Sequence, residues 1–116
     1  IELSQDSTMT PVSDVIAKGT FTGKSGHKTS GGVSLRRTKE GLIVVLSSDF
    51  LFDGAPDAKV ALGNDRFESS AILSALRSDR GFQEYLVPDS LLAGEYNEVW
   101  IWCKRLNVPL GVASLK

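Results

Sequence analysis

A chain of 116 residues is long enough for one ordinary domain and too short for two. Its 13 basic and 14 acidic residues are scattered and leave a formal net charge of -1, which argues against a nucleic-acid surface built on a basic patch interleaved with aromatics. The longest strictly apolar run, Leu42 to Leu46, falls far below the ~20 residues of a spanning helix, so no membrane span is expected.

Residues 1–17 are rich in Ser, Asp, Gln and Thr and contain Pro11, and they read as an N-terminal tether or linker to a single domain over residues 18–116. The chain starts at Ile1 rather than at a methionine, as a processed product does, so a removed signal peptide or an N-terminal lipid anchor is expected upstream.

The stretch GTFTGKSGHKTSGG, residues 19–32, has the look of a phosphate-binding loop and holds the sole histidine, His27. Counting rejects that reading. Gly23-Lys24-Ser25 requires a glycine at position 18, which is Lys18, and the alternating Val33-Ser34-Leu35-Arg36 that follows cannot open a helix. A strand, a turn and a second strand account for the segment better.

Further strand-like runs appear at Val33 to Arg37, Leu42 to Ser47, Ala58 to Leu62, Phe82 to Val87, Val99 to Lys104 and Val108 to Leu115. Turn chemistry separates them at Lys39-Glu40-Gly41, Asp53 to Asp57, Asp79-Arg80-Gly81 and Pro88-Asp89. Short strands at regular spacing without βαβ alternation predict an all-β fold, an antiparallel β-sandwich or flattened β-barrel. One segment fits two patterns: Ile72, Leu73 and Leu76 suit a short helix near 68–79, whereas Ala71, Leu73 and Ala75 alternate as in a strand.

The acids Asp49, Asp53 and Asp57 recur every fourth residue but lack the calcium-loop pattern and its distal glutamate, so turn and strand-end roles are expected of them. The single cysteine, Cys103, excludes an internal disulfide and a cysteine cluster for zinc. With one histidine as well, no acid, base and nucleophile set stands out, and independent turnover of a substrate is not expected.

Cys103 closes the densest stretch. As a strand, residues 99–103 put Val99, Ile101 and Cys103 on one face and Trp100 and Trp102 on the other, as a central strand covered on both sides would. Two readings of the thiol stand side by side. It is a small buried hydrophobe, or it is a redox or ligand thiol, which needs access and a cation such as Lys104 or Arg105 to stabilise the thiolate. His27 is likewise either a polar turn residue or a second ligand facing Cys103.

The order of motifs resembles the DM-thirteen domain, also called the electron-transfer DM domain. The resemblance rests on Gly19-Thr20-Phe21 and His27, on Asp49-Phe50 through Pro56-Asp57 into Val60 to Gly63, and on Gly81 to Pro88. It continues through Ile101-Trp102-Cys103 and the tail Val108 to Leu115, covering about residues 18–116. It implies a β-rich extracytoplasmic domain, secreted, periplasmic or anchored at the cell surface, that serves electron transfer with a redox or cell-surface protein as partner. Cys103 would be the thiol or the ligand of a prosthetic group such as haem, with His27 the second candidate. The alternative is a non-catalytic binding or adhesion module with Cys103 in its core and function in its loops.

Overall fold

The computed structural model describes residues 14–91 and 95–116. Its strands are β1 (Asp14–Gly23), β2 (Thr29–Ser30), β3 (Gly32–Thr38), β4 (Gly41–Leu46), β5 (Leu51–Phe52), β6 (Ala58–Gly63), β7 (Phe67–Ala75), β8 (Gln83–Leu86), β9 (Glu98–Cys103) and β10 (Val108–Ser114), with a 3-10 turn at Asp89–Leu91. Eight of them form an antiparallel sheet in the order β7-β6-β9-β10-β1-β3-β4-β8, and β2 pairs with β5 in a separate ribbon. The sheet curls into a nearly closed barrel, so the all-β expectation holds.

β1 joins the two halves. Asp14 to Thr20 pair with β3, with a bulge at Val15/Ala17, while Phe21 to Gly23 pair with β10. The strand therefore takes in the last four residues of the stretch read as a tether; the rest of that stretch, Met9 included, lies outside the described residues. The sheet ends β7 and β8 are joined by a side chain. The backbone N–H of Arg77 donates to Tyr85 Oη at 3.0 Å, its guanidinium donates to the Glu84 carbonyl, and its charge lies 4.2 Å from the Tyr85 ring centroid.

The segment with two patterns is a strand, not a helix. β7 supplies the hydrogen bonds that the outer edge of β6 needs, and a helix there would leave that edge unpaired. Bulges let it follow the curl while Ala71 stays fully buried in the core.

Inside, one core gathers Phe21, Val44, Leu46, Phe50, Leu62, Val99, Ile101, Leu110 and their neighbours, with Phe21 and Phe50 edge to face at 5.5 Å. β9 sits between β6 and β10, as its two apolar faces predict. Its inward face carries Val99, Ile101 and Cys103. Its outward face departs from the expected cover on both sides: no second sheet lies over it among the described residues, and there Trp102 stacks on Phe67, with ring centroids 3.7 Å apart, and meets Trp100 edge to face, so the indoles are covered by each other and by Phe67. A Cβ at Gly63 would collide with the Trp100 ring, so the outer aromatic packing needs glycine there.

The pairings place the ends of β1, β4, β7 and β9 and the starts of β3, β6, β8 and β10 at one end of the barrel. The connections gathered there carry every residue singled out for chemistry.

Candidate functional site

Three loops build the site at this end. The first, after β1, is a tight turn. His27 N–H donates to the Lys24 carbonyl at 2.9 Å, and Ser25 and Gly26 both take positive φ, 55° and 80°, the signature of a type I′ turn. That turn lifts His27 toward the second loop, Asp53 to Asp57, which follows β5. There Nδ1 of His27 donates to Asp53 Oδ1 at 2.8 Å, Lys28 N–H donates to Asp53 Oδ2 at 2.9 Å, and the imidazole lies 5.7 Å from the Phe52 ring. Both donors hold the Asp53 carboxyl below its ordinary pKa, the His27 hydrogen bond foremost. The third is the turn after β9, where the exposed Lys104 donates its N–H to the Asp57 carbonyl at 3.1 Å.

Cys103 lies below the second loop. Its residue exposure is 1 %, it belongs to the hydrophobic core, and Sγ donates to the carbonyl of Pro56 at 3.3 Å. It pairs with Ala58 on one side and Val108 on the other. Lys104 and Arg105 are exposed in the turn beyond it.

The loop thus touches both sequence candidates, His27 at Asp53 and Cys103 at Pro56. Those two positions are three residues apart, a reach of at most about 10 Å along the chain. The sequence marked Asp53 and Pro56 as turn residues and nothing more; no local signal ties Asp53 to a histidine 26 residues away. The regularly spaced acids do separate work: Asp49 accepts from Gly32 N–H at 2.9 Å and Asp57 Oδ1 pairs with Lys59 at 3.1 Å. Among the described residues, no group of three or more His, Cys, Asp or Glu side chains is placed to hold a metal ion.

A haem on Cys103 needs room beside the sulfur. Neither of the two surface grooves described, one over β1 and β3 and one beside β2 and β5, is lined by Cys103, and the thiol is surrounded by core side chains. In this conformation Cys103 does not fit as an axial ligand.

A family model described as electron transfer DM13 matches residues 20–115. No curated protein and no solved structure matches the chain. No helix among the described residues is long and apolar enough to cross a membrane.

Proposed function

The chain belongs to the electron transfer DM13 family, and from that membership we propose that it is an accessory module of extracytoplasmic electron transfer in which Cys103 is the redox thiol. The observation that carries this reading is the position of Cys103: it closes β9 at the loop-rich end, and its Sγ is held by the Pro56 carbonyl of a single surface loop. Movement of residues 53–57 lifts the Pro56 carbonyl from Sγ and admits a partner.

With no second cysteine in the chain, the chemistry is intermolecular. The Cys103 thiolate attacks one sulfur of a partner protein's disulfide, a mixed disulfide forms, and the other sulfur leaves as a thiolate that takes up a proton. A thiol of a second protein then attacks the Cys103 sulfur of that mixed disulfide and frees the partner as a dithiol, and a neighbouring thiol of the second protein attacks its own sulfur in the new mixed disulfide, closes a disulfide there and releases Cys103. Two electrons have then passed from thiol to disulfide, with Cys103 as carrier. The extracytoplasmic setting follows the family resemblance, and it is the setting in which a partner disulfide persists.

The test is incubation of the native protein with glutathione disulfide, followed by intact-mass measurement. The expected result is one glutathione per folded chain and none on Cys103→Ser. If the adduct forms only in denaturant that unfolds the domain, the redox reading falls. The second reading, a binding or adhesion module with Cys103 as core, is favoured by the 1 % exposure of that residue. Under it, Cys103→Ser changes stability and leaves partner binding intact.

A further inference from the structure

The ribbon of β2 and β5 carries on its outer face a groove of about 350 Å³, at the small end of the range for ligand sites. Its layout follows from the pairings. Thr29 and Phe52 lie opposite each other and are buried, so alternation turns Lys28, Ser30, Leu51 and Asp53 outward. On the far side of β5, Arg80 bridges to Leu51, and Asp79 lies beside Gly54, where a Cβ would stand 3.5 Å from Asp79 Oδ2. Lys28, Asp53 and Asp79 therefore make one row, and Ser30, Leu51 and Arg80 the next.

The main chain fixes both rows. Phe52 N–H donates to the Asp79 carbonyl at 2.8 Å, Gly81 N–H to the Phe50 carbonyl at 3.0 Å and Asp53 N–H to the Lys28 carbonyl at 3.1 Å. A ligand meets groups already in place, which spares it the cost of ordering them.

The charges of the groove select one kind of ligand. Lys28 and Arg80 offset Asp53 and Asp79, so the lining favours neither a plain anion nor a plain cation. Asp53 is engaged by His27 and by Lys28 N–H, whereas among the described residues no ion pair holds the ammonium of Lys28, the carboxylate of Asp79 or the guanidinium of Arg80. Opposite charges thus stand around Leu51, itself 48 % exposed, without closing on one another.

We propose that this groove binds a free α-amino acid with an apolar side chain. The ligand's ammonium meets the Asp79 carboxylate, its carboxylate meets the Arg80 guanidinium with Lys28 beside it, and its side chain covers Leu51. The inference is independent of the redox reading, because Cys103 does not line the groove.

The experiment is an amide-resolved NMR titration of the whole domain with L-leucine, set against L-leucinamide, which lacks the carboxylate, and N-acetyl-L-leucine, which lacks the ammonium. Saturable shifts are expected with leucine at Lys28 to Ser30, Leu51 to Asp53 and Asp79 to Gly81. Each single-charge probe should bind about tenfold or more weaker, as should leucine to Asp79→Asn and to Arg80→Gln. Both side chains are exposed, so these variants test the charges without disturbing the core. Equal binding of either single-charge probe would assign the groove to a peptide end or a simple ion and overturn the proposal. Unsaturable shifts with leucine, or binding that Asp79→Asn leaves unchanged, would overturn it as well.

Discussion

The carbonyl of Pro56 accepts the thiol proton of Cys103 at 3.3 Å, across 47 positions of sequence. This contact makes the cysteine both a core residue and the anchor of a loop. Cys103→Ala is expected to lower unfolding free energy by about 1–2 kcal/mol, from lost packing and a freed carbonyl. Cys103→Ser keeps a donor for Pro56 but sets a hydroxyl among Val and Ile side chains, so a comparable loss is expected. Urea midpoints of the three proteins measure both.

At the other end of the same loop, the Asp53 carboxylate is stabilised in its ionised form by His27 and Lys28. The sign follows from linkage: a depressed carboxyl contributes its hold above about pH 4, the unfolded value, and loses it as pH falls through the folded value. Cys103 should therefore label faster with an acid-active disulfide reagent as pH drops through that range. In Asp53→Ala the labelling should already be fast at neutral pH and lack the acid step. Equal rates in the two proteins at every pH would show that Asp53 does not restrain the loop.

Arg77 and Tyr85 hold the seam of the barrel, and Tyr85 is buried with its hydroxyl donating to Gln83 Oε1 at 2.5 Å. Burial raises its pKa above the ordinary 10.0, so stability is full below that value and is lost as pH rises beyond it. Thermal melts from pH 9 upward should show this decline, and it should be shallower in Tyr85→Phe. At neutral pH, Tyr85→Phe should cost about 1–2 kcal/mol for the lost hydroxyl contacts. Arg77→Ala should speed hydrogen exchange in β8 more than in β9.

Outside the barrel, the Phe67–Trp102 stack lies with its planes 3° from parallel. Trp102→Ala is expected to cost about 2 kcal/mol, less than a fully buried aromatic because the residue is only partly buried. Gly63→Ala should cost at least as much without touching either ring of the stack, by driving a methyl into the Arg66 carbonyl and the Trp100 ring. Chemical denaturation followed by tryptophan fluorescence reads both variants.

The alternation of Val99, Ile101 and Cys103 against Trp100 and Trp102 made the central strand legible, because period-two burial is a local property. Residues 68–79 were ambiguous for the converse reason. Their state is decided by the exposed edge of β6, a partner that the segment itself does not encode. The candidate site divides in the same way. The types of Cys103 and His27 were visible, while the loop that meets both depends on pairings 26 and 47 positions apart. The groove beside β2 and β5 was not foreseen: Lys28, Leu51 and Arg80 become neighbours only once the pairings are fixed, and Asp79-Arg80-Gly81 looked like turn chemistry.

The placement of β1 between β3 and β10 bears on synthesis. During translation the β1–β3–β4 meander emerges with its partners nearby, yet Phe21 to Gly23 have no strand to meet until residues 111–113 leave the ribosome. The exchange of backbone bonds between Lys18 and Lys116 waits longer still. Such distant pairings delay closure until β10 has been made and slow it afterward. A nascent chain stalled before β10 would present the bare edges of β9 and β1 together, the form of this domain most in need of a chaperone.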